Sequence, residues 1–299
     1  MTLGEESYTR HKNRVKRART LVEIAFVIAV LYLLYTLFFH GKTYQPYTES
    51  QVSPTTDTGF IALSYFGVDR IGDTSTLIGE KQLREHLKAL KDNGYVTITQ
   101  EDIEKYYEKG QPLPEKALYL MFEDGRRDTA IFADNIIEDL NFKGVMMTYP
   151  EKFDHEDPKF LRPSDLKDMT DSTFWELGTN GYRLEYINVY DRYHNFIGEI
   201  DPLTYAMMRP YLGRDYNHYL MDYIRDKDRI PVETLDHMKR RIGYDYSRVA
   251  ELYQEHLGYV PQVYVLMHAN TGKFGNAASV SYENEKWIRK LFTMNFNRE

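Results

Sequence analysis

Ala117-Leu118-Tyr119-Leu120-Met121-Phe122-Glu123-Asp124-Gly125 is an unbroken apolar run that stops at two neighbouring carboxylates and a glycine. Six apolar residues without polar alternation read as a strand buried on both faces, which is the habit of parallel sheets. Ile131, Ile136, Ile137 and Leu140 follow at helical spacing. The unit is therefore strand, acidic turn, helix. Working outward, the same rhythm repeats. Phe60–Phe66 is a short apolar strand, Leu83, Leu87 and Leu90 mark a helix that Gly94 ends, and Tyr95–Ile98 is a strand. Thr99 caps a short helix, with Asp102 three residues on completing a capping box. Val145–Tyr149 and Phe174–Gly178 are the next strands, separated by a helix over 165–169 that Ser164 opens. Pro231 opens a long helix carrying Leu235, Met238, Ile242, Val249 and Leu252, closed near Gly258. Val263–Met267 is a strand ending in His268, and Trp287, Ile288 and Leu291 mark a last helix. Repeated βα units predict a parallel sheet or barrel, and about 240 residues suit a (β/α) barrel, open or closed. The Tyr-, Arg- and Asp-rich stretch 182–229 breaks the rhythm and reads as an insertion.

The first sixty residues differ in kind. Arg10, Lys12, Arg14, Lys16, Arg17 and Arg19 form a basic block, and Leu21–Phe39 is apolar apart from Glu23 and Thr36. About 19 helical residues span roughly 28 Å, the thickness of a bilayer's hydrocarbon core. The run exceeds a secretory signal core and is followed by bulky Phe38, Phe39 and His40 rather than a small-residue cleavage site. The expectation is a cytoplasmic basic tail over 1–20, a single-pass signal-anchor over 21–39, and a domain outside the cell membrane. Residues 40–59, rich in Thr, Ser, Pro and Gln, read as a linker to the domain at 60–299.

Composition narrows the chemistry. The 299 residues carry 28% charged and 42% hydrophobic side chains, which is globular, not disordered. A net charge of −7 removes general attraction to nucleic acid. The absence of cysteine excludes disulfides, cysteine-ligated zinc, iron–sulfur clusters and a thiol nucleophile. The 26 tyrosines suit polar ligands met by stacking, and equally a wet core.

In βα folds the working residues gather at the C-terminal ends of strands. Glu123-Asp124 and His268 stand there. Neighbouring carboxylates can divide labour between proton acceptor and cation ligand. They also fit a plain helix entry with an Asp-Gly turn. A histidine at a strand end suits a general acid near neutral pH.

Lys91-Asp92-Asn93-Gly94-Tyr95, Leu113-Pro114-Glu115-Lys116, Phe122-Glu123-Asp124-Gly125 and the later Leu266-Met267-His268, in that order, resemble the NodB-homology polysaccharide deacetylases. The resemblance implies a distorted (β/α) barrel of that type behind the N-terminal transmembrane helix. It implies Glu123 as catalytic base, Asp124 as ligand of a divalent metal and His268 as general acid. The implied reaction is hydrolysis of an N-acetyl group on a polysaccharide. Two departures stand out. Glu123 replaces Asp, and Asn180 and Leu184 occupy the positions of the metal-binding histidines. Leu cannot bind a metal, and the carbonyl oxygen of Asn180 suits hard cations better than zinc. Glu185, His194 and His218 are substitute ligands within reach in sequence. Tyr182, Arg183 and Glu185 form the loop that would meet the sugar. Asn180-Gly181 is also an ordinary turn pair. Two other functions fit the same residues. One is a degenerate glycan-binding domain that assists polysaccharide export, and the other is a glycoside hydrolase pairing Glu123 or Asp124 with Glu176 or Glu185.

Overall fold

The computed structural model describes residues 3–39, 42–55, 59–72, 77–155, 157–213, 217–266 and 275–296, with side chains omitted for 3–15 and 35–39. His268 and Met267 lie outside the described residues. The chain forms two compact units, Met1–Thr43 and Tyr44–Glu299.

The first unit is one helix, α1 (Leu3–Phe39). Its apolar side chains from Leu21 to Leu34 are exposed, and Arg19 donates to Glu23 one turn on. Among the described residues no helix is long and apolar enough to cross a membrane. The side chains of residues 35–39, the far end of the apolar run, lie outside them.

The second unit carries β1 (Phe60–Tyr65), β2 (Val68–Asp69), β3 (Ile78–Gly79), α2 (Glu80–Asp92), β4 (Val96–Thr97), α3 (Gln100–Lys109), β5 (Ala117–Phe122), α4 (Arg127–Leu140) and β6 (Gly144–Thr148). Next come α5 (Pro163–Asp171), β7 (Trp175–Thr179), β8 (Tyr186–Tyr190), β9 (Phe196–Ile200), α6 (Pro202–Met208), β10 (Asn217–His218), α7 (Leu235–Leu257), β11 (Val263–Val265), α8 (Ala278–Leu291) and β12 (Met294–Phe296). Seven strands form one parallel sheet in the order β1-β5-β6-β7-β11-β12, with β4 also paired to β5. The expected barrel is a curled sheet, open between β1 and β12. Its two ends still approach each other: Phe60 of β1 meets Phe296 of β12 edge to face at 6.2 Å.

Period two along β5 explains why the strand is central. Leu118, Leu120 and Phe122 enter the cluster under the helices, with Met146, Leu177 and Ile136. Ala117, Tyr119 and Met121 enter the interior of the curl with Val145, Met147, Val263 and Val265. All six residues of β5 are buried. Truncating Phe122 to Ala would cost roughly 3–5 kcal/mol.

Residues 44–53, read from composition as a tether, lie along the second unit. Tyr44 donates its hydroxyl to the Thr97 carbonyl at 2.9 Å, and its ring packs edge-on to Phe174. Tyr47 donates to Asp102 at 3.0 Å, and Val52 bridges Pro114. Aromatic anchors spaced through a polar stretch escape a composition argument. The insertion forms a small antiparallel sheet, β10-β8-β9, with α6 beside it in sequence. The long helix starts at Leu235, capped by Thr234, rather than at Pro231, which bridges Arg225.

Candidate active site

The site grows from the end of β5. Glu123 is 0% exposed, its amide donates to the Tyr65 carbonyl at 2.9 Å, and the Ser64 hydroxyl of β1 donates to its Oε1. Asp124 then turns into the left-handed region at φ 72°, and Gly125 follows at φ 60°. A non-glycine residue there costs about 1–2 kcal/mol. Gly125 is required twice over, because a Cβ would also meet Thr148 Cγ2 at 2.8 Å. The turn aims the Asp124 carboxylate away from the strand line.

Asn180, one residue beyond β7, holds that turn. Its Oδ1 accepts from the Asp124 amide at 3.1 Å, and its Nδ2 donates to the Val265 carbonyl of β11 at 2.9 Å. Its own amide donates to the Thr148 carbonyl at 3.0 Å. One fully buried side chain therefore braces the ends of β5, β7 and β11.

Burial pushes the Asp124 carboxyl up to about 6. The Arg126 guanidinium, 3.7 Å away, pulls it down, Glu123 pushes it up again and Lys152 opposes. Although 23% of its side-chain surface stays open, desolvation outweighs the nearby arginine. Tyr149 stands one residue beyond β6. It is 2% exposed, and its phenol is raised far above its ordinary value by burial and then by Asp124 and Glu123.

The loop after Asn180 is ionic. Arg183 contacts Glu185 at 3.0 Å and Asp245 of α7 at 3.4 Å, and its guanidinium lies 4.5 Å from the Tyr219 ring and 5.5 Å from the Tyr182 ring. Arg241 covers Tyr219 at 4.7 Å and holds Glu233. Burial raises Asp245 to about 7 and raises Glu185 as well, with Arg183 opposing both.

The described donors do not fit a divalent metal. The amide oxygen of Asn180 already accepts from Asp124, Leu184 packs beside Tyr186 and Val189, and Glu185 is bound to Arg183. His218 is buried with Nδ1 accepting from the Leu220 amide, and His194 lies on the exposed turn after β8. Among the described residues no group of three His, Asp or Glu side chains is placed to hold a metal ion. Asp124 is the remaining carboxylate at the expected ligand position.

Glu176 is not a partner for Glu123. It pairs with Val145, one residue before the Phe122–Met146–Leu177 level that Glu123 follows, and so lies about 7 Å back along β7 toward the other rim. There its Oε2 accepts from the Gln100 amide at the start of α3. Sequence reasoning missed Ser64, Tyr149 and Asp245. A hydroxyl within a strand, one tyrosine among 26, and a buried acid on an amphipathic helix carry no distinguishing pattern.

The described residues thus form a parallel curled sheet with paired acids just beyond its central strand. No family model matches the chain. The chain is 31% identical over 116 residues to the poly-β-1,6-N-acetyl-D-glucosamine N-deacetylase of Escherichia coli (strain K12), covering 38% of this chain and 17% of that protein. It is 36% identical over 74 residues to the enzyme of the same name from Escherichia coli O157:H7, covering 24% of this chain and 11% of that protein. The matched stretches are thus less than a fifth of those relatives' lengths. In fold it resembles a de-N-acetylase from Aggregatibacter actinomycetemcomitans (TM-score 0.60, 17% identity, 80% of this chain and 87% of that one). It also resembles the BpsB deacetylase domain from Bordetella bronchiseptica (TM-score 0.57, 14% identity, 80% and 88%). IcaB from Ammonifex degensii is similar too (TM-score 0.54, 15% identity, 80% and 84%). The resemblance to the NodB-homology polysaccharide deacetylases holds in sequence and in fold. These matches support a divergent NodB-like reading of the chain.

Proposed function

We propose that this chain is a membrane-anchored, outward-facing hydrolase that removes acetyl groups from N-acetylated glycans of the cell envelope or of exported polysaccharide. The observation that carries the reading is Glu123-Asp124 beyond the central strand of a sheet shared with solved de-N-acetylases. The poly-β-1,6-N-acetyl-D-glucosamine enzymes named above support the substrate class. The exposed apolar residues of α1 behind a basic block support the anchor.

Glu123 takes a proton from water as the water oxygen attacks the acetamide carbon. The carbon–nitrogen bond then breaks, the amine leaves with a proton from His268, and acetate is released. Asp124, ionised above pH 6, accepts from the acetamide N–H. Tyr182, Arg183 and Glu185 form the sugar-facing loop.

The test is acetate release by the detergent-solubilised full chain from N-acetylated glucosamine polymers. Release that falls by about 10²–10⁴-fold in Glu123→Gln sustains the reading. No release from any N-acetylated glycan refutes it, and retained glycan binding in that case leaves a binding domain.

A further inference from the structure

Tyr149 is placed where a reacting group would meet it. Phe122 pairs with Met146 across β5 and β6, Gly125 just past Asp124 lies against Thr148, and Tyr149 follows Thr148 in sequence. Thr148 in turn pairs with Thr179, one residue before Asn180. The hydroxyl of Tyr149 is fully buried and has no hydrogen-bond partner among the described residues. The titratable groups that act on it electrostatically are Asp124, Glu123, Tyr186 and Tyr264. The Tyr264 hydroxyl already accepts from Tyr246 at 3.3 Å. Neither carboxylate takes the Tyr149 proton as a hydrogen bond, although both act on it.

A buried hydroxyl without a partner costs stability, and phenylalanine would fill the same space without that cost. The side chain is also held in place. Tyr149 precedes Pro150, which confines it to extended backbone, observed at φ −106°, ψ 109°. The turn that follows is pinned by the Glu151 amide on the Tyr182 carbonyl at 3.1 Å. A fixed, protonated donor beside a general base matches what acyl hydrolysis needs: a hydrogen bond ready where negative charge develops on the carbonyl oxygen.

We infer that the Tyr149 hydroxyl is a catalytic residue, donating to the acetyl carbonyl oxygen of the substrate and stabilising the tetrahedral oxyanion. The inference rests on the proposed hydrolase reading. The acetamide enters past Asp124, whose side chain keeps 23% of its surface open, and its carbonyl oxygen points away from Glu123 and toward Tyr149. When water adds, the carbonyl π electrons pass to that oxygen, which Tyr149 holds without giving up its proton. When the carbon–nitrogen bond breaks, the charge returns and acetate leaves. Burial and the two acids hold the phenol protonated over the whole working range, so it donates at every pH where Glu123 acts as base.

The experiment is Tyr149→Phe in the full chain, with acetate release and the thermal midpoint both measured, beside wild type and Glu123→Gln. The expected result is a kcat lower by about 10²–10³-fold, KM within a few-fold, and a midpoint equal to or above wild type. Wild-type kcat in Tyr149→Phe, with Glu123→Gln inactive, overturns this inference and leaves the hydrolase reading standing. A loss of activity with a lowered midpoint also overturns it, since the hydroxyl then serves the fold. An inactive wild type overturns the hydrolase reading and the inference with it.

Discussion

Replacing Asn180 by Ala tests whether the rim of the sheet is braced as described. The substitution removes an acceptor at 3.1 Å from the Asp124 amide and a donor at 2.9 Å to the Val265 carbonyl. Asn180 is fully buried, so water cannot replace either group without opening the site. Each orphaned buried backbone group costs about 1–3 kcal/mol. The strain of the left-handed Asp124 stands in both proteins and cancels from the difference. The two groups together cost about 2–6 kcal/mol if the turn stays in place, and less if it relaxes by moving Asp124. Urea unfolding of the full chain should show that loss, with a thermal midpoint lower by roughly 4–24 °C. Asn180→Asp separates the two bonds. It keeps an acceptor for the Asp124 amide but loses the donor to Val265 and adds a third negative charge beside Glu123 and Asp124. Its penalty should therefore grow as the pH rises above 6. A cost for Asn180→Ala below about 1 kcal/mol with unchanged acetate release would refute the bracing argument.

Two further outcomes follow from the electrostatics. The folded Asp124 holds its proton more tightly, at about 6 against 3.8 unfolded, so its burial costs stability as pH rises from 4 through 6 and the full cost stands above 6. Asp124→Asn should remove that slope, and midpoints of both proteins between pH 4 and 8 will show it; parallel profiles would contradict the assignment. Arg183→Ala leaves Asp245 and Glu185 without their cation, and should destabilise by about 3 kcal/mol at pH 8. The loss should shrink at pH 5, where both raised acids are protonated, and an equal loss at both pH values would argue against an ionic role.

Much of the fold was readable because βα units announce themselves through burial. The run Ala117–Phe122 is apolar because both faces of β5 are covered, and Leu83 and Leu87 recur because one face of α2 is buried. The Thr99–Asp102 capping box and the left-handed Gly258 cap stand where the residues say. The insertion was opaque for a physical reason. Tyr186–Tyr190 is buried along its whole length, so it shows no alternation, and Asn188 at φ 58° shifts its register against β9. At the site, Glu123 and Asp124 were visible as two charges after an apolar strand. Tyr182, Arg183 and Glu185 were read as sugar contacts, and the structure joins Arg183 and Glu185 through an ion pair that extends to Asp245. That third partner comes from α7, 60 residues further on, and spacing cannot report it.

Asn180 also limits what this chain can become. A neutral imidazole offers one acceptor and one donor, the two roles this amide already fills. A histidine here that gave its lone pair to a metal would desert the Asp124 amide, and one that kept the amide would have no lone pair to give.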